Sequence, residues 1–95
     1  MSDQLLKLRD DALEWRAVEG EVIAVDLRDS VYLGVNRTGA VIWPQLAAGA
    51  TRDALARRLA QECAIGLEQA EREVAEFIAE LDRLGLLERV SGGVS

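Results

Sequence analysis

The hydrophobic period of this chain changes once, near Asn36, and that change limits the fold more than any other feature. Before it, apolar residues alternate. In Ala12–Val18 (ALEWRAV), Leu13, Trp15 and Ala17 fall on one side and Glu14 and Arg16 on the other, the period of a half-buried strand. Glu19-Gly20 reads as a tight turn into a second strand, Glu21–Leu27, rich in Val and Ile. Arg28-Asp29-Ser30 then leads to a third, Val31–Val35. Two short connections in succession predict an antiparallel meander.

After Asn36 the spacing becomes three and four. Asn36 or Thr38 can cap a helix whose apolar positions are Val41, Ile42 and Leu46, with Trp43 beside them. Pro44 removes one amide and opposes the carbonyl of Ala40, which in an ideal helix interior costs about 3 kcal/mol. A kink or an early break is expected there. Gly49 stops the element. Thr51 caps a second helix that carries Asp53 in its first turn and Leu55 and Leu59 on its buried face. Residues 63–66 turn the chain. A third helix follows from Leu67 to about Leu84, where Leu67, Ala70, Val74, Phe77, Ile78, Leu81 and Leu84 form one stripe. Gly85 is a natural terminator, and Leu86–Val90 fits a short strand or an extended cap.

The predicted class is therefore α+β and winged helix-turn-helix-like: a three-stranded antiparallel sheet followed by three helices. Residues 12–90 form the expected domain. Residues 1–11 read as a flexible N-terminal arm and residues 91–95, SGGVS, as a disordered tail.

The composition removes several functions. A chain of 95 residues is one small domain with little volume for a deep cleft. It contains no histidine, the commonest general base and metal ligand. The lone Cys63 has neither a histidine to activate it nor a second cysteine with which to share a metal. It reads as a small core residue, and a single thiol fits a reducing cytoplasm. Gly34 and Gly39 lack the lysine of a phosphate-binding loop and are better explained by backbone geometry. No catalytic residue, no metal site, no cofactor and no membrane span is expected, so the chain is not read as an enzyme.

Two surface readings stay open. Glu73, Glu76 and Glu80 share one stripe of the third helix, and like charges at that spacing mildly destabilise it. They form either a solvated face or a receiver for a partner's Lys or Arg. The strand-then-helix order also raises a winged-helix DNA-binding transcriptional regulator, whose reading helix would be Leu67–Leu84. That segment carries six carboxylates against two arginines, in a chain of net charge −6. Phosphates would be repelled by it, and Arg52, Arg57 and Arg58 on the preceding helix make only a small basic patch.

The run VYLGVNRTGAVIWPQLAAGAT, with Tyr32-Leu33, Asn36, Thr38-Gly39, Ile42-Trp43, Leu46, Gly49 and Thr51, resembles the PqqD-like family, the recognition elements of ribosomally made, post-translationally modified peptides. Leu55, Leu59, Val74, Phe77, Leu81 and Leu84-Gly85-Leu86-Leu87 also fall in that family's pattern, so the resemblance spans roughly residues 12–88. It departs at Pro44, where a polar or acidic residue is usual, and at an extra residue between Leu33 and Asn36.

The resemblance implies a non-catalytic adaptor. Such proteins hold the leader of a precursor peptide as an added strand and present it to a modifying enzyme, such as a radical-SAM maturase or a leader peptidase of lasso-peptide pathways. Mapped here, the edge strand is Val31, Tyr32, Leu33, Gly34 and Val35, and the helix wall is Glu73, Glu76, Phe77, Glu80 and Leu81. Side-chain pockets fall to Tyr32, Leu33, Val35, Phe77 and Leu81, while Trp43, Ile42, Leu46, Val74 and Ile78 are expected in the core. An exposed strand edge suits this role because it offers backbone hydrogen bonds to any sequence.

Overall fold

Glu19 and Gly20 both adopt positive φ, 50° and 81°, the pairing required by a two-residue hairpin turn that matches the twist of its strands. In the computed structural model, which describes residues 4–9 and 11–90, that turn joins β2 (Leu13–Val18) to β3 (Glu21–Asp26). A second turn leads to β4 (Val31–Gly34), and the three form an antiparallel sheet in the order β2-β3-β4. The expected α+β architecture of a three-stranded sheet followed by three helices is observed. β4 ends one residue short of the predicted Val35.

The register sorts the sheet into two faces. Trp15, Ala24 and Leu33 lie in one row and face the core. Glu14, Val25 and Tyr32 form a row on the opposite face, and Arg16, Ile23 and Gly34 form the next.

Asn36 is the first helix's cap: its side chain accepts from the Gly39 amide at 2.8 Å, which frees Thr38 for a different partner. The helix α1 (Arg37–Ala48) continues through Pro44, so the expected early break does not occur. Pro44 is exposed, which turns the carbonyl that loses its donor toward solvent, the side on which a helix tolerates lengthened bonds. Thr51 caps α2 (Arg52–Cys63) through the Ala54 amide at 3.1 Å, and Ala64 closes that helix in the left-handed conformation. The third helix, α3 (Leu67–Arg83), buries Ala70, Val74, Ile78 and Leu81 along one side.

One expectation is corrected. Residues 1–11 read as a flexible arm, yet Leu5–Leu8 form a strand, β1, paired antiparallel with β5 (Leu87–Val90). Leu6 and Leu8 are 2% and 0% exposed. Leu6 also exchanges backbone hydrogen bonds with Ala50 at 2.8 and 3.0 Å. Four residues are too short to reveal a strand beside so many charges, and both partners lie far along the chain. Residues 1–3 and 10 of the expected arm, and the expected disordered tail 91–95, lie outside the described residues.

The core forms around Trp43, which is fully buried together with Ile42, Leu46, Leu55, Leu59 and Ile78. Trp15 and Phe77 both meet its ring edge to face, with centroids 6.1 and 6.2 Å away. This geometry adds about 0.5–1.5 kcal/mol per pair beyond burial. Cys63 is partly buried against the core.

Candidate functional site

Two tethers set α3 alongside β4. At the start of the strand, Arg28 donates from Nη2 to the Leu84 carbonyl at 2.8 Å, while its Nε and Nη2 reach the Asp26 carboxylate at 3.3 Å each. At the far end, the Thr38 hydroxyl donates to Glu73 at 2.8 Å. The end of α3 is thus tied to the turn that precedes β4 and its first half to the helix that follows it, with Gly34 facing the segment between.

Asp26 is the buried charged residue among the described residues, at 6% exposure. Its carboxyl sits below the ordinary range because the Arg28 side chain, and then the Arg28 amide, hydrogen-bond to its charged form.

Between strand and helix lies an open groove of about 430 Å³, lined by Gly34, Asn36, Thr38, Glu73, Glu76, Phe77 and Glu80. Half-buried Phe77 supplies its apolar surface. The position of that ring depends on Gly39. A methyl group there would stand 2.5 Å from Phe77 Cζ and 2.8 Å from Val35 Cγ1, closer than real contacts allow. Only a hydrogen at this position lets the ring lie across the first turn of α1.

The three glutamates differ. Glu73 is held below its ordinary pKa by a hydrogen bond from Gln69, at 3.0 Å, and then by that from Thr38. Glu80 accepts from Arg83 three residues along. The Glu76 side chain has no hydrogen bond or ion pair among the described residues. The groove is therefore acidic on the helix side, with its least committed charge in the middle.

Of the anticipated residues, Gly34, Glu73, Glu76, Phe77 and Glu80 meet in this groove. Leu33 packs on the core side of the sheet, and Val35 touches the Phe77 neighbourhood at Gly39. Leu33, Gly34 and Val35 line an adjoining hollow with Arg37 and Ala40. Three residues, Tyr32, Leu81 and Val31, line neither hollow. Tyr32, 77% exposed, stands on the opposite face of the sheet beside Val25. Leu81 is 3% exposed and belongs to the core, on the side of α3 that also buries Ala70, Val74 and Ile78. Val31, 49% exposed, begins the strand opposite Asp26.

Sequence reasoning missed the steric role of Gly39 and the Arg28 tether. Gly39 lay within the recognised motif, but its reason is a ring contributed by a distant helix.

Among the described residues, no group of three or more His, Cys, Asp or Glu could hold a metal ion. No helix there is long and apolar enough to cross a membrane. On α2, Arg57 and Arg58 pair with Asp53 and Glu62, at 3.0 and 3.4 Å, which leaves Arg52 as that helix's arginine without such a partner.

The sequence matches the family model of coenzyme PQQ synthesis protein D (PqqD) over residues 21–87. Curated proteins give no match. Among solved structures, the fold is similar to "TbiB1 in Complex with the TbiA(beta) Leader Peptide", with a TM-score of 0.77 and 25% identity, covering 94% of this chain and 99% of that one. With the family model running from the start of β3 to the first residue of β5, across the whole groove, this chain belongs to the PqqD family.

Proposed function

We propose that this chain is a non-catalytic adaptor that captures the leader of a ribosomal precursor peptide and presents it to a maturation enzyme. The observation that carries this reading is the groove beside β4, where a strand edge unpaired among the described residues faces Phe77 and an acidic helix wall. The similar TbiB1 structure holds a leader peptide.

A leader strand added to Val31–Gly34 gains backbone hydrogen bonds on alternate residues of β4. Its inward side chains rest on Phe77 and against Leu33 and Val35. A basic leader residue would find its best partner in Glu76. Tyr32 contributes backbone to this site, and its side chain faces away. Five or so paired residues and two filled pockets support a dissociation constant on the order of a micromolar, or about −8 kcal/mol. That affinity allows the cargo to be released.

The enzyme partner belongs to the class of radical-SAM maturases or leader peptidases, and the free Cys63 fits a cytoplasmic setting. An amide-resolved NMR titration with synthetic leader peptides from candidate precursor genes tests this reading. Shifts concentrated on residues 31–35 and 73–80, saturating at one peptide per chain, are expected. Leaders that bind with shifts elsewhere, or duplex DNA binding where no leader does, would overturn it.

A further inference from the structure

The outer face of the sheet carries two adjacent rows whose contents are opposites. One row is Glu14, Val25 and Tyr32; the next is Arg16, Ile23 and Gly34. The side chains of Glu14 and Arg16 are exposed and have no hydrogen bond or ion pair among the described residues. Ile23 is 51% exposed and Tyr32 77%. Above Gly34, where a side chain would begin, no described residue other than its chain neighbours comes within 4 Å.

We infer that this face is self-complementary and takes a second copy of the same chain. Consider a two-fold axis lying between the two sheets, along the hydrogen-bonding direction and midway between the rows. It sets each strand antiparallel over its own copy and exchanges the rows. Glu14 then faces the partner's Arg16, and Arg16 faces the partner's Glu14. Val25 faces the partner's Ile23, apolar on apolar. Tyr32, the largest exposed side chain of the sheet, enters the space above the partner's Gly34. One operation matches charge, hydropathy and bulk in every column, as an isologous interface requires.

The rows are about 7 Å apart along each strand, so the roughly 30° angle between packed sheets displaces the matched positions little. Gly34 is shared with the leader groove, whose other lining residues follow β4 or lie on α3, away from this face. Net charge of −6 on each copy opposes this association, so the dimer should be weak and strengthen with salt until the Glu14–Arg16 contacts are themselves screened.

Sedimentation equilibrium of the whole chain, from about 10 µM to 1 mM, tests the inference with Glu14→Arg, Arg16→Glu and the combined Glu14→Arg/Arg16→Glu. The symmetry makes each single change replace two attractions by two repulsions. A reversible monomer–dimer equilibrium is expected, weakened at least about tenfold by either single change and returned to within about threefold of the original by the exchange. Circular dichroism confirms that each variant is folded. A chain that stays monomeric at 1 mM overturns the inference. So do single variants that dimerise like the parent, or an exchange no better than the singles.

Discussion

Adding one methyl group at Gly39 should disturb both the fold and the groove, and the geometry sets the size of each effect. In Gly39→Ala the new carbon would lie 2.5 Å from Phe77 Cζ and 2.8 Å from Val35 Cγ1, about 1 Å inside normal contact. Overpacking of this kind costs about 1–3 kcal/mol. Against it stands the helix preference of Ala over Gly, at most about 1 kcal/mol and less in a first turn. Phe77 is half-buried and has the groove to move into, so the cost falls toward the lower end of the range. The net expectation is a loss of about 1–2 kcal/mol in urea unfolding, or roughly 4–16 °C in Tm for a domain of this size.

The same displacement carries the ring into the volume that a bound strand would occupy, so leader affinity should fall at least about tenfold. Phe77→Leu removes the offending ring atoms. It also loses the contact with Trp43, so alone it should cost about 1–2 kcal/mol. In the double variant the methyl group has room, and the two losses should add to less than their sum by about 1 kcal/mol or more. If Gly39→Ala is as stable as the parent, or if the two changes are simply additive, the proposed ring-over-glycine contact is wrong.

Leu8→Ala should cost about 2–5 kcal/mol in chemical unfolding, because Leu8 is fully buried; a loss below about 0.5 kcal/mol would return β1 to the status of a loose arm. The Asp26 carboxyl titrates lower in the folded chain than in the unfolded one, where its pKa is about 3.9. It therefore stabilises the fold above that value, and the contribution disappears as pH falls through the folded pKa. Asp26→Asn should flatten the stability profile between about pH 5 and pH 2, and an unchanged slope would place the acid sensitivity elsewhere. Glu76→Lys should weaken a leader carrying Lys or Arg at the groove and reduce the salt dependence of binding, measured by calorimetry at two ionic strengths; equal affinity and equal salt dependence would make Glu76 a solvated residue only.

Long, strictly periodic segments were legible in the sequence. Trp43, Ile42, Leu46, Val74 and Ile78 are buried where the spacing put them, because one amphipathic stripe has only one direction in which to hide. Thr51 is the cap expected of it, while the Asn36–Thr38 choice needed the structure, since both can cap and Glu73 decides which is released. β1 was hidden because the pairing that stabilises it joins residues at opposite ends of the chain.

The groove followed the same division. Phe77 and the glutamates could be placed by helical periodicity. The direction of Tyr32 could not, because an extra residue near Gly34 left the strand's register open, and a one-residue shift exchanges the two faces. Leu81 was ambiguous for a related reason: on a stripe this wide, only the neighbouring helices settle which leucine is covered.

The pairing of β1 with β5 also orders events in time. Leu5–Leu8 precedes every other described strand in the chain, and its antiparallel partner follows all of them, with Leu5 opposite Val90. Before that pairing, β1 can meet α1 and the bridge from Leu6 to Ala50, available once α1 is complete. Contacts of such wide sequence separation slow folding, because the chain loses closure entropy before they form. The sheet and helices can therefore assemble while two apolar side chains, Leu6 and Leu8, still wait uncovered. Pairing with β5 then fixes β1 against α1, so that a strand late in the chain settles the placement of an early one.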